Sequence, residues 1–312
     1  MLIGSSVNYS HGVSDPIPEL SLLAEKYEVW LHVDACIGGF LLAYYKKLGH
    51  PVIDFDFNLT GVSSLSVDLH KYAFTPKGAS VILYRDKQLR KYQYYTCTNW
   101  SGYPVVNTTI QSTKSGGPLA ACWATFKYIG DDGYKKLAET IWHAKQEITQ
   151  HFTMLDDLYI LGDPEASLLA IGSDTIDIFQ LADEMKKSGW YIQVQPGDSK
   201  TQPSIHLTIT PVNRIDDFFQ GLKEAINQVK SHPRKSLKHD VSSLLKDTDI
   251  TNETMATLLH AAGVKADGSL PSEMASINEL LHLLPHEITS EAFLYITNEL
   301  FTPNKTFTKG IE

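Results

Sequence analysis

Cysteine is scarce in this sequence. Only Cys36, Cys97 and Cys122 are present, with no CxxC pair and no spacing that would hold a structural zinc ion. An odd count without close pairing excludes a disulfide framework and fits a reducing compartment. Long apolar runs are missing too. The longest near the start, from Ile37 to Tyr45, falls well short of the roughly 20 residues that a membrane-spanning helix needs. No basic stretch leads into an apolar run and a small-residue cleavage site, so a soluble chain without a secretion signal is expected. Positive charge is in deficit: 36 Asp plus Glu against 27 Lys plus Arg give a formal net charge of -9. That balance disfavours non-specific attraction to nucleic acid or an anionic membrane, and any phosphate binding has to be local. Internal repeats and low-complexity tracts are absent.

What remains is ordinary folding material. The 312 residues are 43% hydrophobic and 20% charged, enough for about two domains at roughly 150 residues each. Met1 to Ser6 reads as the end of a strand. Pro16 through Tyr27 carries Leu20, Leu23 and Ala24 at helical spacing, with Asp15 as the expected N-cap. Val29-Trp30-Leu31-His32-Val33-Asp34 is a short apolar run that closes on a carboxylate. A helix followed by such a run predicts a buried parallel strand with a functional residue at its carboxyl end.

Residues 61–68 and 80–84 read as two further strands flanking the His70-Lys71 turn. Residues 116–128 and 134–154 have helical spacing, broken between Gly130 and Gly133. Strand-like runs at 158–161, 167–171, 190–194 and 205–210 then alternate with helices near 177–187 and 216–229. Past Ser231 the composition shifts to Lys, His, Ser, Asp and Thr, with amphipathic pieces near 272–284 and 290–300. The expected organisation is therefore residues 1–133 as part of a large domain, 134–230 as a small α/β domain and 231–312 as a helical extension.

Asp34 ends one apolar strand and Lys71 follows another, so adjacent parallel strands would bring both to one sheet edge. Taken singly, such an Asp serves as a cap or turn residue and such a Lys as a solvated charge. The surrounding residues carry more. His32-Val33-Asp34-Ala35-Cys36-Ile37-Gly38-Gly39-Phe40 and Ser66-Val67-Asp68-Leu69-His70-Lys71-Tyr72, followed by Thr75-Pro76-Lys77-Gly78, resemble the group II decarboxylases dependent on pyridoxal 5'-phosphate (PLP). Within that family they resemble most the lyases of phosphorylated sphingoid bases. His11-Gly12-Val13, Asp15-Pro16 and Ala120-Ala121-Cys122-Trp123-Ala124 extend the likeness, which runs to about Gly133 and more loosely beyond.

The resemblance implies an α/β fold of the type I PLP-dependent transferases: a partial large domain with a parallel-type sheet, a small C-terminal α/β domain and a helical tail. It implies that Lys71 forms the imine with the cofactor aldehyde and that Asp34 faces the pyridine nitrogen, keeping it protonated so that the ring accepts electrons. Ala35 would be the small residue packed against the ring. His70 would neighbour the cofactor phosphate or ring, or serve as a structural histidine in the turn. Lys77 would lie near the substrate phosphate, or be a surface charge. The stretch 107–117 corresponds to a loop that reaches a neighbouring subunit's site and helps hold phosphate, which brings in Lys114 and a homodimer. No metal is implied.

Departures from the family pattern are Ala73 and Ser112 in place of Gly, Lys114 in place of Arg, and Ser115 in place of Pro. A Lys attracts phosphate as a point charge but lacks the planar fork of Arg. The family's upstream segment, with its phosphate-binding loop and ring-stacking residue, has no counterpart here. A fragment, a partial gene or one half of a two-chain assembly is expected, with apolar faces left open. The implied reaction is carbon–carbon cleavage of a phosphorylated sphingoid base to a fatty aldehyde and phosphoethanolamine. An amino-acid decarboxylase and a non-catalytic remnant acting through a partner chain stay open as alternatives, as does membrane association of longer relatives.

Overall fold

A computed structural model of the chain describes residues 1–111, 113–198, 200–212, 214–239, 241, 252–265 and 270–301. Ser112 and parts of the 231–312 extension lie outside the described residues. Two compact units divide the chain: Met1–His151 with Ile160–Ala170 and Thr208–Asn213, and Phe152–Tyr159 with Ile171–Leu207 and Arg214–Glu312.

The first unit begins with β1 (Leu2–Ser5), α1 (Ile17–Lys26), β2 (Leu31–Asp34), α2 (Gly38–Lys47), β3 (Val62–Asp68) and β4 (Ser80–Tyr84). The four strands lie in sequence order. β1, β2 and β3 are parallel, as strands joined by crossover helices must be. β4 returns antiparallel after the short turn that carries Lys71. The sheet's apolar face holds Leu31, Val33, Leu65 and Val67, all buried with Ile17 and Ala24 of α1 and Leu41, Leu42 and Tyr45 of α2. Each fully buried Leu or Val contributes about 1.5–3 kcal/mol. The helices sit close: a Cβ at Gly4 would come within 2.6 Å of Ile17 Cδ1, and one at Gly38 within 2.5 Å of the Ser6 carbonyl oxygen. Gly38 thus lets α2 start against the chain leaving β1.

The expected cap of α1 is corrected by the structure. Pro16 occupies the N-cap position and no side chain caps the helix, because the Asp15 carboxylate accepts instead from the Ser5 amide at 2.7 Å. Pro18 in the first turn removes one donor that a cap would otherwise serve. Short α3 (Lys87–Arg90) and the antiparallel ribbon of β5 (Tyr95–Cys97) and β6 (Val105–Asn107) follow. The long α4 (Gly117–Thr153) contains a true break at Gly130, whose φ of 64° only glycine adopts cheaply. Past the break, Tyr134, Ala138, Ile141 and Ile148 form a buried stripe at helical spacing.

β7 (Tyr159–Ile160), β8 (Leu168–Gly172), β9 (Gln193–Gln195) and β10 (Ser204–Thr208) make a second sheet in the order β7-β8-β10-β9. In the second unit, α5 (Ile178–Lys187) is capped by Asp177, which accepts from the Phe179 and Gln180 amides at 3.0 and 3.1 Å. α6 (Ile215–Ser231), α7 (Asn252–Ala261), α8 (Ala275–Leu283) and α9 (His286–Leu300) follow. Leu258, Leu259, Ala262, Ile277, Leu280 and Leu284 bury one another in a separate small core.

Two carboxylates tie this helical segment down. Asp183 of α5 accepts from the Met274 and Ala275 amides at 2.9 and 2.8 Å, acting as an N-cap delivered from another helix. Glu279 of α8 accepts from the Leu237 amide at 3.0 Å and from Arg234 at 2.6 Å. Asp183→Ala is expected to destabilise α8 by about 1–2 kcal/mol, the usual worth of a cap. Hydrogen exchange would show it as faster exchange of the first-turn amides of α8, with the strands of the first unit unchanged.

Candidate active site

β2 and β3 end side by side, and their carboxyl ends carry the ionisable groups. Alternation along β2 puts His32 and Asp34 on the face opposite Leu31 and Val33. β3 pairs Val62 with Leu31 but Ser64 with His32, so Ser63 is an extra residue in the ladder. This bulge is satisfied: the Ser63 hydroxyl accepts from the Leu31 amide at 3.3 Å, and its carbonyl from the Arg85 amide at 3.0 Å. Its consequence is that Ser64, Ser66 and Asp68 share the polar face with His32 and Asp34.

One Asp34 oxygen, Oδ1, accepts from the Cys36 amide at 3.0 Å and from the Ser66 hydroxyl at 3.1 Å. Two bonds on one oxygen fix the carboxylate in place, and the Cys36 thiol faces the same group. Lys71 lies just past β3, in a turn closed by the Phe74 amide on the Lys71 carbonyl at 3.0 Å. Its ammonium donates to Cys36 Sγ at 3.2 Å and pairs with Asp68 at 2.9 Å. Cys36 therefore joins the two expected partners, its amide on Asp34 and its sulfur on Lys71.

The environment sets the protonation states. Burial works to lower the Lys71 pKa, but the hydrogen bonds to Asp68 and Cys36 outweigh it and leave the amine above its ordinary value. Burial would raise Asp68, yet the Ser80 hydroxyl and the Lys71 ammonium hold it below the usual carboxylate range. The Cys36 thiol is pushed up, chiefly by burial. His32 is pushed down by burial, against the opposing pull of Asp34.

His70 and Ala35 are close by in sequence but differ in exposure. His70 is half-buried, and its Nδ1 lies 2.9 Å from the Ala79 carbonyl. A carbonyl only accepts, so Nδ1 carries the proton, while Nε2 is 3.8 Å from Asp68. Ala35 is fully buried, on the side where a Cβ added to Gly39 of α2 would come within 3.0 Å of its own. Lys77 and Lys114 are exposed loop residues, and neither makes an ion pair with another described residue. Of the expected set, Asp34, Lys71 and His70 share this corner through Cys36 and Asp68, and the two outer lysines make no hydrogen bond to it.

Asp68, Cys36, His32 and Ser66 escaped the reading of the sequence as site residues. The signal for them is parity: His32 stands two before Asp34 on the same strand face, and Asp68 three before Lys71 across the turn.

The comparisons with known proteins identify the family. Residues 3–171 match the pyridoxal-dependent decarboxylase conserved domain, and residues 237–298 match a C-terminal putative HTH domain of pyridoxal-dependent enzymes. The chain belongs to the pyridoxal-dependent decarboxylase family. It is 38% identical over 233 residues to the sphingosine-1-phosphate lyase of Arabidopsis thaliana, covering 75% of this chain and 42% of that protein. A probable sphingosine-1-phosphate lyase of Legionella pneumophila is 34% identical over 248 residues, with 75% and 40% covered. The chain thus spans about two fifths of these relatives' length.

Among solved structures, a Burkholderia pseudomallei sphingosine-1-phosphate lyase superposes with a TM-score of 0.69 at 34% identity, covering 80% of this chain and 57% of that one. Lactobacillus brevis glutamate decarboxylase, at 22% identity and a TM-score of 0.63 over 75% of this chain and 56% of its own, shares the fold. The α/β fold expected from the sequence is the fold found. Among the described residues, no helix is long and apolar enough to cross a membrane.

Asp68→Asn removes the carboxylate that raises the Lys71 pKa. Protonation of Lys71, followed by pulsed acylation at a series of pH values and mass spectrometry, is expected to have its midpoint at lower pH in the variant. An unchanged midpoint would show that Asp68 does not govern the amine.

Proposed function

We propose that this chain carries the lysine-bearing half of a PLP-dependent carbon–carbon lyase acting on phosphorylated sphingoid bases, with Lys71 and Asp34 as its catalytic pair. The observation that carries the reading is the single-residue link through Cys36, which sets a lysine amine and a carboxylate at the carboxyl ends of adjacent parallel strands. Likeness to sphingosine-1-phosphate lyases supports the substrate class.

The donor set fits the cofactor. Lys71 offers a primary amine for the aldehyde, and the Asp34 carboxylate, which makes no ion pair among the described residues, offers an acceptor for a protonated pyridine nitrogen. When bound, PLP supplies the electron sink for the bond being broken. The rest falls to side chains. Lys71 has to reach its free amine before it can act as a nucleophile, but its raised pKa and the lowered pKa of Asp68 both oppose proton transfer between them. The ion pair therefore has to open, or a third base has to take the proton. Cys36, kept as a thiol, adds no competing anion. By the resemblance, Lys77 and Lys114 would attract the substrate phosphate from solvent-exposed loops, and His70 would border the cofactor.

We also propose a homodimer. Val106, Ile110, Leu119, Trp123 and Tyr128 are all largely exposed around β6 and the first half of α4, apolar area of the kind that marks an interface. Light scattering at micromolar concentration is expected to give twice the chain mass, and a monomer would remove the proposal.

The functional test is an absorbance spectrum after adding PLP, with Lys71→Ala beside the unaltered chain. A visible band that vanishes in the variant is expected. Asp34→Asn is expected to keep the band but lower turnover of a phosphorylated sphingoid base by roughly 10²–10³-fold, the usual loss for one preorganised electrostatic partner. Cleavage of amino acids to carbon dioxide in its place would turn the assignment to a decarboxylase. Absence of any band would sink the cofactor reading for this chain.

A further inference from the structure

Asp34 is the end point of a chain of hydrogen bonds that runs along the polar face of β2 and β3. Trp30 Nε1 lies 2.8 Å from Ser64 Oγ, and Ser64 Oγ lies 2.8 Å from His32 Nδ1. His32 Nε2 is 3.3 Å from Ser66 Oγ, and Ser66 Oγ is 3.1 Å from Asp34 Oδ1. The strand register that pairs His32 with Ser64 and Asp34 with Ser66 produces these neighbours. The Trp30 ring is braced from β4 by an edge contact with Tyr84 at 6.2 Å.

Proton bookkeeping gives the chain a direction. An ionised carboxylate only accepts, so the single Ser66 proton goes to Asp34, and Ser66 has to accept from His32. His32 Nε2 therefore carries hydrogen. At the other end an indole N–H only donates, so Ser64 accepts from Trp30. Ser64 is 2% exposed, and among the described residues its own proton has His32 Nδ1 as acceptor, at 2.8 Å. If Nδ1 also carried hydrogen, the Ser64 proton would be left buried and unpaired, at a cost of the order of a lost hydrogen bond. Both ends require the same neutral tautomer, and burial of the imidazole favours the neutral form.

We infer that His32 is a positioning residue: a one-way relay from Trp30 through Ser64, His32 and Ser66 fixes His32 as its Nε2–H tautomer and holds the Asp34 carboxylate by Oδ1 in place for a cationic ring nitrogen. The relay stands on the geometry alone, and its purpose rests on the cofactor reading proposed above. Every link donates towards Asp34, so the carboxylate keeps its orientation before any ligand arrives. A carboxylate pinned in advance loses little conformational freedom on binding, which is the general gain from preorganisation.

The test separates the relay from the cofactor. Nitrogen-15 NMR of the cofactor-free chain at neutral pH is expected to show His32 as one neutral species with hydrogen on Nε2. Ser66→Ala leaves Ser64 alone to hold it and should weaken that preference, the double variant Ser64→Ala/Ser66→Ala should remove it, and Ser66→Thr, which keeps the hydroxyl on a strand position, should retain it. A His32 that is charged, protonated on Nδ1, or mixed in the unaltered chain overturns the relay. PLP binding by fluorescence titration then reads the purpose. Ser66→Ala should weaken it roughly tenfold, the size of one hydrogen bond to a charged group, with Ser66→Thr within about twofold of the unaltered chain. Equal affinity in all three overturns the positioning role. An unaltered chain that shows the tautomer but takes up no PLP instead counts against the function proposed above and leaves the relay in place.

Discussion

The parallel register between β2 and β3, with its extra residue at Ser63, is the constraint on which the site depends. Side chains alternate with a period of two along a strand, so a one-residue slip exchanges the faces. Upstream of the bulge, Val62 stands beside Leu31 in the core. Had Ser63 taken a regular place in the ladder, alternation counted from Val62 would carry Ser64, Ser66 and Asp68 to the helix side and Leu65 and Val67 to the open side. The bulge places an apolar ladder under α1 and α2 and a polar ladder above it from the same two strands. The Leu31 amide and the Ser63 carbonyl at the irregularity are both paired, with the Ser63 hydroxyl and the Arg85 amide, which removes two groups that would otherwise destabilise it.

The electrostatics of the corner follow from that placement. Three acidic or basic groups and one thiol meet where two parallel strands end, and the site avoids an uncompensated charge by splitting them into two sets. Lys71 is matched by Asp68, one turn back in the chain. Asp34 is matched by dipoles alone: a backbone amide, a hydroxyl and the Cys36 thiol. Had Lys71 paired with Asp34 directly, the carboxylate would be occupied by the group it is meant to work with. Asp68 frees Asp34 for a different cation, and it does so by holding the amine in the protonated form that has to be undone before chemistry.

Much of this was legible in the sequence because strand ends advertise themselves. The run Val29 to Asp34 and the His70-Lys71 turn were identifiable from apolar runs closing on charged residues, and the break at Gly130 from its composition. The α/β class followed from strands alternating with helical spacing. Asp15 was misread because helix caps and strand-end amides compete for the same carboxylate, and only the tertiary path decides between them. β5 and β6 went unseen, since three-residue strands leave too little period to detect. The role of Asp68 was hidden in plain view: an Asp at the end of β3 looks like any turn residue until the turn folds Lys71 back onto it. Ser63 could not be anticipated at all, because a bulge is a property of the pairing between two strands and neither strand encodes it alone.

The polar face also explains why hydroxyls rather than further charges surround Asp34. A serine offers one proton and two lone pairs, so a row of them can be threaded into a single direction once both ends are fixed. Trp30 can only donate and Asp34 can only accept, and the two between them leave His32 no second choice of tautomer. A lysine at position 66 would neutralise Asp34 and end its use as a partner for a cationic ring. A valine there would leave both Asp34 and His32 short of a partner in a half-buried site, where each unmet polar group costs on the order of 1–3 kcal/mol. Serine satisfies both neighbours without adding charge, and that requirement, more than strand propensity, accounts for polar residues at 64 and 66 in the middle of a sheet.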